Sequence, residues 1–170
     1  MRRALAAVLL FAVAVSCARS SAEERVRSRD AAADVAVGLS ATDHGPVGTL
    51  VAGTERQEGV HGSYCWRRDE EGGQAVGWCA DAVPDVIIPK GYVEVPRGAM
   101  LRVNGDAEHV EGVLGTVDRS EGYPRLEPVV RLELSGGSAS LDAPPGEYTL
   151  QISATWPEGD GEFNFGIRIL

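Results

Sequence analysis

The sequence predicts an all-β protein, an immunoglobulin-like antiparallel β-sandwich with one intradomain disulfide. Three observations carry this. After Pro46 the chain runs in short segments of alternating polarity punctuated by Gly, Pro, Asn and Asp. No stretch keeps a helical period over the roughly 11 residues that such a period needs to be read. Strands do not alternate with helices, which leaves a two-sheet sandwich favoured over a barrel for some eight to nine strands.

The C-terminal part is the clearest. In "PPGEYTLQISATW" the residues Tyr148, Leu150, Ile152 and Ala154 share one face, and Thr149, Gln151, Ser153 and Thr155 share the other. "PEGDG" supplies a turn, and "EFNFGIRIL" repeats the pattern with Phe163, Phe165, Ile167 and Ile169. These two segments form a closing hairpin. Upstream, "DVIIP", "YVEVP", "AMLRVNG", "VEGVLGTVD", "PVVRLELSG" and "ASLDAP" have strand length, with proline and glycine at their ends. Tyr148, just after "PPG", resembles the tyrosine corner of immunoglobulin-like sandwiches, a structural role in which the hydroxyl ties down a crossover.

Residues 61–81, "HGSYCWRRDEEGGQAVGWCAD", are the densest in chemically capable side chains. In an oxidising compartment, Cys65 and Cys79 pair most simply as a disulfide. They close a loop of about 15 residues, worth roughly 3 kcal/mol on a chain-entropy estimate. A redox pair wants its sulfurs closer in sequence. A metal site would have to draw on His61, Cys65, Cys79 and Asp81, but His61 and Cys65 lie about 13 Å apart along a strand. Neither a metal nor another cofactor is expected. Trp66 and Trp78 fall on the face opposite their neighbouring cysteines, so at least one of them packs inside. The other, and above all Trp156 beside its turn, are candidates for a binding surface.

The N-terminus, "MRRALAAVLLFAVAVSC", has a basic start and an unbroken apolar run from Ala4 to Val15, which reads as an export signal. The run is short of the roughly 20 residues a membrane-spanning helix needs. "AVSC", ending at Cys17, resembles the lipobox of bacterial lipoproteins, although Ala14 stands where that motif usually has leucine. The resemblance implies a diacylglyceryl group on the Cys17 thiol and cleavage just before it; the alternative is ordinary cleavage after "SSA" at Ala22, giving a secreted protein. The domain plan is therefore an export signal over 1–17, a flexible tether over 18–45 that carries no aromatic residue, and a sandwich over 46–170. A flexible tether of that length spans roughly 30 Å.

Charge narrows the partners. The formal net charge of −9 becomes −11 once Arg2 and Arg3 leave with the signal, which argues against nucleic acid. No catalytic residue is assigned. Ser63 lacks the second glycine of a nucleophile elbow, His44, His61 and His109 are scattered, and the acidic runs read as solvated loops. "GSYCW", a loop, "CADA" and a nearby proline resemble a motif of small bacterial secreted proteins and lipoproteins that carry a domain of unknown function. That resemblance, covering about Pro46 to Leu170, implies an exported all-β domain with a disulfide and brings no activity with it. The expected function is a membrane-tethered extracytoplasmic binding or structural module of the cell envelope. It would be anchored through Cys17 at the outer face of the cytoplasmic membrane and have an envelope protein or glycan as partner. The alternative is an envelope hydrolase whose carboxylates are assembled only by the fold.

Overall fold

Alternation is strictest in the last two strands, and they form the spine of the fold. A computed structural model describes residues 34–69 and 73–170. The export signal, Cys17 and tether residues 18–33 lie outside the described residues. Strands β11 (Gly146–Trp156) and β12 (Gly159–Ile169) pair antiparallel over their whole length, from Gly146 opposite Ile169 to Trp156 opposite Gly159. Tyr148, Leu150, Ile152, Phe163, Phe165, Ile167 and Ile169 all point inward and are buried. The Tyr148 hydroxyl donates to the Pro144 carbonyl at 2.7 Å, tying the strand to the bend before it.

The other strands are β1 (Val35–Ser40), β2 (Val47–Ala52), β3 (Glu55–Glu58), β4 (Val60–Asp69), β5 (Ala75–Ala80), β6 (Val93–Val95), β7 (Ala99–Gly105), β8 (His109–Asp118), β9 (Arg125–Leu132) and β10 (Ser138–Leu141). They build two sheets, one ordered β10-β7-β1-β2-β3 and one ordered β5-β4-β12-β11-β8-β9, with β6 also beside β12. The molecule is thus a β-sandwich with one disulfide. Eight of the ten pairings among the described residues are antiparallel; β1 with β7 and β6 with β12 are parallel. The sheets meet closely where Gly48 and Gly59 lie against the phenyl rings of Phe163 and Phe165. A Cβ at either glycine would come within 2.9 Å of ring carbons.

Two expectations are corrected. The domain begins well before Pro46, because Val35–Ser40, assigned to the tether, is a central strand with Val35, Val37 and Leu39 buried. A strand filled by Val and Leu needs no aromatic residue to hold a core position. "DVIIP" is not a strand. Pro84–Ile87 is a 3₁₀ turn, opened by a proline whose ring fixes φ in the turn range. The segment after it crosses the outer face of the second sheet. Thr149 donates its hydroxyl to the Ile87 carbonyl at 2.9 Å, and Pro89 and Gly91 lie directly over Gly166. Thr149, on the face expected to meet water, is buried in consequence, and Asn164 on the same face is buried as well.

Gln57 closes the one gap this leaves on β12, between its pairing with β4 and its pairing with β6. Its amide oxygen accepts from Gly166 N at 3.1 Å, and its amide nitrogen donates to the Gly91 carbonyl at 3.0 Å. Leu39→Ala separates a core strand from a tether. The core position predicts a loss of about 2–5 kcal/mol in urea unfolding, whereas a tether residue stays within about 0.5 kcal/mol of the parent.

Candidate functional site

Cys65 on β4 faces Cys79 on β5 in register, with Cα atoms 4.0 Å apart, and the two form a disulfide. Both are exposed, on the surface turned away from the core. The bridge therefore joins neighbouring strands of one sheet. The conserved bridge of antibody domains, by contrast, crosses between sheets.

One position along, the inner face carries aromatic rings. Trp66 lies opposite Trp78 and opposite Gly159, which in turn lies opposite Trp156. Gly159 has no side chain to fill the row, so the rings of Trp66 and Trp156 meet over it. Their centroids are 5.6 Å apart and their planes 71° apart, the edge-to-face arrangement that aromatic quadrupoles favour. Gly159 has φ of 157°, and a Cβ there would collide with the Cys65 carbonyl.

Trp66 and Trp156 are consequently not a binding surface. Each is 3% exposed, and the Trp156 indole N–H donates to Asp106 Oδ1 at 2.8 Å. Trp156 continues the inward row of Tyr148, Leu150, Ile152 and Ala154, a signal in the sequence that its position beside a turn obscured. Trp78 is half-buried against the core.

Beyond the disulfide, β4 and β5 continue as a two-stranded arm, because β12 pairs with β4 only from Val60 to Trp66. The arm is held at its root by the Arg67 amide, which donates to the Glu158 carbonyl at 2.8 Å. Between the arm, the turn at Ala41–Asp43 and the turn at Pro157–Glu158 lies a cleft of about 490 Å³. Thr42, Asp43, Arg67, Arg68, Asp69 and Glu158 surround the covered edge of Trp66. Arg67 pairs with Asp69 at 3.3 Å, so the cleft carries both signs of charge and suits a polar ligand that both donates and accepts hydrogen bonds.

A second hollow, of about 390 Å³, lies on the outer face of the second sheet. Ser153 lies opposite Glu162 on one side and Glu111 on the other, so these carboxylates stand two strands apart, roughly 9.6 Å across the sheet. Glu162 is half-buried, and burial raises its carboxyl above the usual range, opposed by hydrogen bonds from Asn164 and Gln151. Glu111 and Asp160 are exposed. Sequence reading took Glu162 for part of a solvated loop. Its carboxylate lies in the space left by Gly62 on the neighbouring strand and accepts from the amide of the buried Asn164, an arrangement that no local pattern announces.

His61 turns inward, its ring 5.1 Å from that of Phe163. Its buried Nδ1 has no hydrogen-bond partner, and burial lowers its pKa. Among the described residues, no His, Cys, Asp and Glu side chains are grouped as a metal site would require. Comparison with protein-family models, curated proteins and solved structures finds no match for the chain.

Reducing the bridge, or replacing Cys65 and Cys79 with alanine, lowers stability by roughly 3 kcal/mol. Urea unfolding followed by tryptophan fluorescence measures this. Because its folded pKa is raised, Glu162 contributes most below the ordinary value of 4.5, and that contribution is lost as pH rises through the folded pKa. Glu162→Gln therefore flattens the decline in stability from acid towards neutral pH relative to the parent chain. Parallel unfolding curves at each pH check this.

Proposed function

We propose that the chain is a membrane-tethered extracytoplasmic binding or structural module of the cell envelope, held by lipid on Cys17. The observation that carries the extracytoplasmic part is the Cys65–Cys79 bridge. It sits on the solvent face, where reductants reach it, and such a bridge persists only where thiols are not kept reduced. The export signal and the lipobox-like "AVSC" support the same address. Chain length supports the tether. From Cys17 to Val35 it reaches at most about 65 Å, enough to hold the sandwich clear of a lipid surface. The binding part is supported by the polar cleft beside the β4–β5 arm. It draws residues from three separate segments, the kind of convergence that places functional groups on loops around a rigid scaffold.

The hydrolase reading draws on one observation, the half-buried Glu162 with Glu111 across Ser153. It predicts turnover of an envelope polymer that Glu162→Gln abolishes. The binding reading predicts no turnover by the purified chain, and enrichment of a protein or glycan from envelope extracts.

Intact mass analysis of the native membrane fraction tests the anchor. The expected result is a chain beginning at Cys17 that carries acyl groups and gains two hydrogens on reduction. Cys17→Ser is expected to move the protein from the membrane to the soluble extracytoplasmic fraction. An unmodified chain beginning after Ala22 would replace the tethered form with a secreted one.

A further inference from the structure

Among the described residues, one buried side-chain polar atom has no hydrogen-bond partner: Nδ1 of His61. Folded proteins rarely leave such an atom unpaired, because its lost hydration goes uncompensated. Its position follows from a β-bulge. Where β12 takes two steps, from Gly161 to Phe163, β4 takes three, from Tyr64 to His61. The extra residue returns His61 to the inner face beside Tyr64, as bulges do when they re-aim a side chain. There its ring lies 5.1 Å from that of Phe163 and 5.7 Å, edge-on, from that of Tyr64.

The bulge also supports one wall of the cleft. Thr42 and Gly45 close a turn, each donating its N–H to the other's carbonyl at 3.1 Å, and this turn presents Thr42 and Asp43 to the cleft. Its far side rests on the bulge at two points. The Tyr64 ring lies 3.7 Å from where a Cβ on Gly45 would stand, and the ring of Pro46 sits so close over Gly161 that a Cβ there would clash with it. His61 thus reaches the cleft wall through Tyr64, and the bulge reaches it again through Gly161.

Only the neutral imidazole suits this place. An imidazolium carries an N–H on both nitrogens, and Nδ1 has no acceptor. Tyr64 shares its strand and face, Asp160 and Glu162 turn to the outer face of β12, Glu58 is exposed on β3, and Asp43 and His44 are exposed on the turn. None of them hydrogen-bonds to the His61 ring, and burial alone acts on its pKa, lowering it from 6.5. The closed form is therefore fully favoured above 6.5 and loses that advantage as pH falls from there through the lowered value. We propose that His61 is an acid-sensitive latch of the cleft: a proton on its ring disrupts the bulge, frees the Thr42–Gly45 turn from Tyr64 and Gly161, and opens the cleft wall, so that a ligand held at neutral pH is released in acid. This rests on the cleft as the binding site of the reading above.

Amide exchange of the full chain carrying Cys17→Ser, with each rate referred to the intrinsic rate at that pH, tests the latch. Between pH 7 and pH 5 the protection of the Thr42 and Gly45 amides is expected to fall severalfold, up to a limit of roughly thirtyfold for a group of ordinary pKa 6.5. Leu150 and Ile152, in the core of β11, are expected to keep theirs. His61→Gln and His61→Phe remove the titrating group, and each is expected to hold the protection of the turn constant over that range. His61→Phe keeps a ring against Phe163 and carries the test if His61→Gln does not fold. His44→Gln, in the turn itself, is expected to leave the fall in place. A turn unmoved at pH 5, a fall that persists in the folded His61 variants, a fall that His44→Gln abolishes, or an equal loss at Leu150 and Ile152 overturns the proposal. Failure of the binding reading shows separately, as capture of nothing from envelope extracts at pH 7 beside a turn that still opens in acid. An envelope partner captured at pH 7 and retained at pH 5 sinks the latch and leaves the binding reading standing.

Discussion

The register between β11 and β12 is the constraint on which the other elements depend. Side chains on a strand alternate with a period of two, so a slip of one residue would turn the inward row of the slipped strand to water, Leu150 and Ile152 on β11 or Phe163 and Phe165 on β12, and bring Gln151 and Ser153 or Glu162 and Asn164 into the core. Burying a side chain of that size contributes about 1.5–3 kcal/mol, and several would be lost together. Every neighbour is cut to fit this register. β8 adds to β11, while β4 and β6 share the free side of β12. Gly48 and Gly59 leave room for its phenyl rings, and the crossing segment covers Gly166 on β12 and Thr149 on β11 from the outer side.

At the arm, two weaker effects combine. A hairpin of two strands is marginal by itself in water, and past Trp66 the β4–β5 pair has no third strand. The disulfide limits the unfolded freedom of the arm from the solvent side, while Trp66, set edge-to-face against Trp156, fixes its root from the core side. The exposed ion pair of Arg67 and Asp69 adds little to this rigidity, since surface pairs are typically worth about 0–1 kcal/mol.

Much of this was legible in the sequence, though unevenly. The closing hairpin could be read because its alternation is unbroken on both sides of a turn. The bridge could be read because the spacing suits a strand-to-strand loop and the expected compartment permits a disulfide. Trp156 was legible in principle, since it extends an inward row by one step. Its burial follows from that register and its exposure was only suggested by the nearby turn. β1 was hidden by composition, because Ala and Gly separate its three inward residues and dilute the apolar signal. The short apolar run at residues 85–89 fits a strand or a covering segment equally well, and only the sheet beneath decides which. The half-buried state of Glu162 and the edge position of β5 are products of sheet order, which two-residue periodicity does not encode.

The place of β12 also governs when the fold can form. β1 pairs with β7 across more than sixty positions of sequence, and Gln57 reaches Gly166 across 109. β12 is the strand that joins β4, β6 and β11 into one sheet. A chain emerging from its amino end can make the β1–β2 and β4–β5 hairpins early, but it has no core to bury them against until those last strands arrive. Assembly is therefore concerted and late, dominated by distant contacts of the kind that slow folding.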